Sequence, residues 1–229
     1  SRDGSEKRMV KRDAMMRSPI AIVGSIEPDG TRRFQVDCGL RMHGGISRDN
    51  GFTPKHGFNL YFRSDYGPSR LEQDLFPGSP VRRFDKLILR AGSTDTWPVV
   101  EWTSPVDGVY RWYRKDASYI RDQWVRDTQI DLGQPSSPGT FVQLFLDGFY
   151  WGLYNLCERP DDSFAAEHLG GNPEDYDVLA DFAEVHAGDA RHLVLHGDAV
   201  LAEQRGQREQ RVVVLHYDFT RLVRPHALA

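Results

Sequence analysis

Lysine is scarce in this chain. Of 229 residues, 29 are basic, yet only five are lysine: Lys7, Lys11, Lys55, Lys86 and Lys115. A reaction that needs an ε-ammonium therefore has few candidates. Basic charge is not in excess either, because 33 acidic residues leave a formal net charge of −4. That excludes nucleic-acid binding driven by phosphate neutralisation. Cysteine occurs twice, as Cys38 and Cys157, far apart and in no paired motif. A structural zinc site, which takes about four close Cys or His ligands, is excluded. Two readings of the cysteines stay open, a disulfide or two buried thiols. No apolar run approaches the ~20 residues of a membrane helix. The opening "SRDGSEKRMVKRDAMMR" has no signal-peptide core. Since the first residue is Ser1, the chain is expected to begin inside a longer protein, and its compartment is not legible from its start.

What is present suits a folded domain: 39% of residues are hydrophobic and 27% charged, enough of the first to form a core. Residues 1–18 read as a polar arm. "PIAIVGSI" and "RRFQVDCGLRM" read as strands around a turn at Pro28-Asp29-Gly30. In the second, Phe34, Val36, Cys38 and Leu40 alternate with polar neighbours and predict one buried face. "FNLYF" and "KLILRAG" are further strands, joined by a Gly- and Pro-rich loop with room for one helical turn. "DASYIRDQWVRDTQIDLGQP" predicts a helix capped by Asp116 or Ser118, with Ile120, Trp124, Thr128 and Leu132 forming an apolar face. Residues 140–156 predict a hairpin turning at Asp147-Gly148. "DDSFAAEHLGG" predicts a short helix with an aspartate cap and a glycine stop. The fold class is α+β, a mostly antiparallel sheet with packed helices.

The blocks "LRMHGGISR", "TPKHGFNLYFRSDYG", "FDKLILRAGSTD", "YIRDQWVRD", "FLDGFYWGLYNLCERPDDSFAAEHLGG" and "EDYDVL" occur in that order. Together they resemble the CotH family, named for a bacterial spore-coat protein and similar to atypical protein kinases. The resemblance covers about residues 31–180. It implies a divergent kinase-like fold, ATP with Mg²⁺ or Mn²⁺ as cofactors, and transfer of the γ-phosphoryl group to Ser or Thr of a coat or surface protein. A spore-coat, cell-surface or extracellular setting is implied in the same way.

Phosphoryl transfer needs a cation on the phosphates, carboxylates for the metal and a group that orients the acceptor. Lys55, in a block similar to the family's basic strand motif, is the candidate phosphate cation, although Gly57 and Asn59 stand where the family often has Ser and a basic residue. The alternative is a solvated lysine. Glu158 resembles the family glutamate that pairs with that lysine or faces the nucleotide. An approach of Lys55 to Glu158 across one cleft is therefore expected; surface pairing of Glu158 with Arg159 or Arg121 is the alternative. Asp161 matches the family's acidic position and is equally suited to cap a helix. His43, Gly44 and Gly45 are placed to approach a phosphate through backbone, or simply to form a turn. Arg121-Asp122 imitates a kinase "RD" but sits at helix spacing.

The family's downstream signatures are absent: no Asn follows Asn172 and no Trp follows Trp151. Metal ligands therefore remain unassigned. The domain is expected to span residues 19–185 and to be incomplete at its C-terminal side, with 186–229 a divergent tail, a fragment end or a shifted frame. Within 198–217 a helix followed by a strand, or no regular structure, is expected. Two function classes follow. One is an ATP-dependent protein kinase, truncated and weakly active or inactive. The other is a catalytically incomplete structural or binding module of a spore coat or envelope.

Overall fold

The computed structural model describes residues 20–98, 102–103, 110–112, 117–180, 184–187, 200–204 and 212–215. The arm, Asp116, and Lys7, Lys11 and Lys115 lie outside them. The main sheet has six strands, all antiparallel, in the order β1 (Ile20–Ile26), β2 (Arg32–His43), β3 (Gly57–Tyr61), β6 (Lys86–Arg90), β10 (Phe149–Glu158) and β9 (Gly139–Leu146). Between β3 and β6 lies a two-residue ladder, β4 (Leu71–Glu72) with β5 (Arg83–Phe84). A further short pair joins β7 (Trp102–Thr103) to β8 (Tyr110–Trp112). The two α-helices are α1 (Arg121–Asp131) and α2 (Asp162–Leu169).

Alternation sorts side chains to opposite faces of the sheet. On one face Cys38, Leu60, Leu87, Leu89 and Tyr154 form a core with Phe34, Val36 and Leu40, as the period of two in β2 predicts. The loop between β3 and β6 closes this core with Leu71, Leu75, Phe76, Val81 and Phe84. That Gly- and Pro-rich segment contains no helix, but it has one turn with helix-type bonds, from the Tyr66 and Gly67 amides to the Arg63 carbonyl at 2.9 and 3.0 Å, and its apolar residues pack down individually. Both cysteines are free and buried, so the disulfide reading is set aside.

The hairpin turns where expected. Asp147 and Gly148 have φ of 50° and 82°, the double positive φ of a type I′ turn, and Phe149 pairs with Leu146. The short helix also matches: Asp161 accepts a hydrogen bond from the Phe164 amide at 3.2 Å, and Gly170, at φ 86°, ends it.

Helix α1 corrects two expectations. It begins at Arg121, and Ile120 occupies its N-cap with no side-chain hydrogen bond. Ser118 turns instead to Asp95. The expected apolar face points outward, with Ile120 55%, Trp124 65% and Leu132 74% exposed. Gln123 and Arg126 are the buried positions. The physical reason is that α1 packs on a polar patch of the sheet. Arg126 donates to the Ser137 carbonyl at 2.8 Å and to the Asn155 side chain, and Asn155 donates to Gln123 at 2.8 Å. Buried polar groups require partners, so the polar stripe of the helix turns inward.

A second antiparallel sheet has the order β12 (Glu184–Ala187), β11 (Tyr176–Ala180), β13 (Val200–Gln204) and β14 (Val212–Leu215). Residues 200–204 are thus strand rather than helix. The division drawn at residue 185 falls inside this sheet. No helix among the described residues is long and apolar enough to cross a membrane.

Candidate phosphate-facing site

The strand register builds the polar face in rows. One row runs Gly39, Tyr61, Lys86, continued on β10 by Arg159 just past the strand end; the next runs Arg41, Asn59, Ile88, Cys157; the third runs His43, Gly57 and, across β6, Arg90 and Asn155. Arg90 ends a strand whose middle three residues are apolar, and its Nε is 3.1 Å from Asp122 Oδ2 on α1. The same carboxylate oxygen is 3.1 Å from Arg126. One helix carboxylate therefore ties the sheet and the helix together through two guanidiniums.

His43 ends β2 beside this pair. Burial is the main cause that pushes its imidazole down to about 3, and the nearby Arg90, Arg159 and Arg48 cations act in the same direction. A hydrogen bond with Asn59 opposes them. His43 is therefore neutral at physiological pH. Asn59 Oδ1 is buried without a hydrogen-bond partner. Gly44 follows at φ 112°, and a Cβ there would lie 2.0 Å from Ser47 Oγ. Any other residue there would be strained by the positive φ and would displace the Ser47 hydroxyl. Gly57 is similarly confined, with a Cβ position 3.1 Å from the Leu89 carbonyl. A side chain at 57 would thus require the neighbouring strand to give by a few tenths of an ångström.

Lys55 lies at the upper end of the sheet. Its Nζ donates to the Leu153 carbonyl at 2.5 Å and sits 4.9 Å and 4.7 Å from the ring centroids of Tyr119 and Tyr154. Burial lowers its ammonium to about 8. Glu158 lies five residues further along β10, on the order of 16 Å away at strand rise. It is 4% exposed, and its Oε2 is 2.8 Å from His168 Nε2 on α2. Burial raises its carboxyl, while His168 pulls the other way. The expected approach of Lys55 to Glu158 is not found. The physical reason is register: the loop before β3 delivers Lys55 beside residue 153, while Glu158 belongs to the opposite end.

The lysine at that opposite end is Lys86. Its Nζ lies 2.8 Å from Asp161, 3.3 Å from Asp85 and 3.9 Å from Asp162. Burial alone would lower its ammonium, but Asp161 and Asp85 outweigh this and raise it. Asp161 caps α2, as one of its two sequence readings expects, and also pairs with Lys86. Burial raises the Asp161 carboxyl, opposed by Lys86. Arg121, mostly exposed, lies 3.4 Å from Asp95. Sequence reasoning overlooked Arg90 and Lys86. The available signal was a charge at each end of "KLILR".

Among the described residues, no three His, Cys, Asp or Glu side chains are grouped to hold a metal ion. The three aspartates that meet do so around an ammonium. They suit Lys86 and do not suit a divalent cation. The polar face does suit an anion, because guanidinium groups bind phosphate oxygens in pairs.

Comparison with known proteins agrees with the family read from the sequence. No curated protein matches the chain. Residues 109–216 match the family model described as CotH kinase protein. This span contains α1, the hairpin, α2 and all four strands of the second sheet, and runs beyond residue 185. Over residues 109–216, this chain is therefore similar to the CotH family.

Proposed function

We propose that the polar face of the main sheet receives the phosphates of ATP, and that the domain is the nucleotide-facing part of a CotH-type protein phosphotransferase. The observation that carries this reading is the Arg90–Asp122 pair. Protein kinases hold a strand cation on the phosphates by an ion pair to a helix acid. Here a strand arginine and a helix aspartate stand in the same relation, beside the His43-Gly44-Gly45 turn. Arginine can contact phosphate bidentately, so the exchange of lysine for arginine preserves the charge and adds directionality. The sheet order, with α1 connecting β6 to β9 in the chain, supports a divergent kinase-like fold.

In this reading Arg90 binds and orients the phosphates, Asp122 fixes Arg90, and neutral His43 offers a ring nitrogen without repelling the guanidiniums. A divalent ion, when bound, supplies charge neutralisation at the transferring group. The described residues provide no set of acids to seat it, so nucleotide binding should be separable from transfer. The acceptor class is a protein hydroxyl, on a coat or surface protein. The absence of such an acid set among the described residues favours a second reading, a nucleotide-binding module of a coat or envelope without turnover.

The test uses purified 1–229 with a fluorescent ATP analogue and, separately, labelled ATP, Mg²⁺ or Mn²⁺ and an acceptor protein. Binding that weakens about tenfold or more in Arg90→Ala is expected, as for loss of a charge-assisted contact. Transfer far above background would select the first reading over the second. Failure to bind, or binding indifferent to Arg90→Ala, overturns both.

A further inference from the structure

Helix α1 must hold Asp122 against Arg90, yet it has no side-chain cap of its own. A different device fixes its start. Asp95, 4% exposed, accepts the Ser118 amide at 2.7 Å and the Ser118 hydroxyl at 3.1 Å, and lies 3.4 Å from Arg121. One residue on, the Thr96 hydroxyl and the Trp97 amide meet the Tyr119 hydroxyl at 2.6 Å and 3.2 Å. The turn 92–97 and residues 118–121 are thus clasped twice.

The clasp is strained. Ser93 and Tyr119 have φ of 46° and 65°, the left-handed region that non-glycine residues seldom adopt. A Cβ on Gly92 would lie 3.2 Å from the Asp95 carbonyl and 3.5 Å from the Tyr119 ring. Backbone strain persists only where surroundings over-determine it. The result of this strain is specific: the Tyr119 ring is placed under the Lys55 ammonium. Lys55 lies just before β3, on the same connection as the His43-Gly44-Gly45 turn. Tyr119 therefore touches the β2–β3 loop with its ring and the 92–97 turn with its hydroxyl, two residues before α1.

We propose that Asp95 and Tyr119 are positioning residues that couple the β2–β3 loop to the Arg90–Asp122 pair, so that ordering of the loop over an anion and seating of α1 favour each other. The inference rests on the phosphate reading above. Neither residue needs to touch the ligand. Asp95 acts through the first turn of α1, and Tyr119 acts through both the loop and the turn. Removing either leaves Arg90 and Asp122 in the chain but releases their mutual alignment.

The experiment compares 1–229 with Asp95→Ala, Asp95→Asn, Tyr119→Phe and Tyr119→Leu. Two readouts are taken on each: amide hydrogen exchange of residues 117–125, and affinity for the fluorescent ATP analogue. Asp95→Ala is expected to speed exchange in 117–125 about tenfold and to weaken nucleotide about tenfold. Asp95→Asn keeps an oxygen acceptor for the Ser118 amide and should recover part of both. Tyr119→Phe keeps the ring under Lys55 and should lose less than Tyr119→Leu. ATP analogue bound to the unaltered chain should slow exchange in 117–125, a change that a merely structural role does not produce. Faster exchange in Asp95→Ala with unchanged affinity overturns the coupling and leaves the phosphate reading standing. Unchanged exchange overturns the clasp itself. Absence of nucleotide binding by the unaltered chain removes the phosphate reading, and the coupling with it.

Discussion

Two lysines occupy opposite ends of one sheet, and their surroundings drive them in opposite directions. Lys55 has a backbone carbonyl and two phenol rings for company, and burial lowers its ammonium to about 8. Lys86 has three aspartates within 4.0 Å, which raise its ammonium despite burial. The difference teaches what each end is for. A buried ammonium amid carboxylates is structural, because its charge is already compensated. The Lys55 ammonium has no carboxylate within ion-pair distance among the described residues, so on the phosphate reading proposed above its charge is the one left for a further anion. The family pattern in the sequence names the first lysine and passes over the second, and only register shows that they never share a site.

The largest effect is expected at the Lys86 end. Lys86→Met leaves the buried Asp161 carboxylate with Arg159 at 3.7 Å as its other cation among the described residues. Breaking such a pair from one side should cost about 3 kcal/mol, measurable by denaturant unfolding. A loss below about 0.5 kcal/mol would break the comparison, since it would make the two ends equivalent. The next effect separates the two duties of Asp161. Asp161→Ala removes both the α2 cap and the ion pair, and should cost about 2 kcal/mol. Asp161→Asn retains the cap oxygen and should recover about 1 kcal/mol of that. Equal losses in the two variants would show that the cap contributes nothing.

These assignments depended on information that one sequence holds unevenly. The Asp147-Gly148 hairpin was legible because a two-residue turn and its flanking alternation are local. The α2 cap was legible for the same reason. The seating of α1 was not. The spacing of Ile120, Trp124 and Leu132 is apolar, but the face that receives the helix consists of Arg90, Asn155 and the Ser137 carbonyl, contributed by segments distant in sequence. The site suffered likewise. Glu158 is at the end of a stiff ribbon, as the motif suggests, but the side chain opposite it is His168. Arg90 was visible only as a charge at the end of an apolar run. Lys86 gained its partners through contacts across as many as 76 positions, Lys86 to Asp162.

A smaller effect should appear at the Lys55 end. Gly152 has φ of 124°, and a Cβ added there would lie 3.6 Å from Lys55 Cε. The space is adequate, so the cost is mainly backbone strain. Gly152→Ala should lose about 1–2 kcal/mol. It should also disturb Lys55, which bonds to the neighbouring Leu153 carbonyl, while leaving the Lys86 cluster untouched. Lysine-resolved NMR titration checks this: the Lys55 midpoint moves and that of Lys86 does not.

The smallest loss at neutral pH is expected for Lys55→Met, since no carboxylate is stranded. Its signature should lie in alkali, and there the two lysines part in sign. The folded value of Lys55, about 8, lies below its ordinary 10.5. Between these values the unfolded chain binds more protons than the folded one, so stability should rise with pH across that window. For Lys86 the folded value lies above 10.5. Its contribution is fully present below 10.5 and should be lost as pH climbs through the raised folded value. Relative to the unaltered chain, Lys55→Met should therefore lose an upward slope between about pH 8 and 10.5, and Lys86→Met should lose a downward slope above 10.5, while the buried Cys38, Cys157 and Tyr154, whose raised values lower stability in alkali, contribute equally to all three. A rise that survives Lys55→Met would mean that the Lys55 ammonium is as well compensated as that of Lys86. The upper end of the sheet would then have no claim to be the half that waits for an anion.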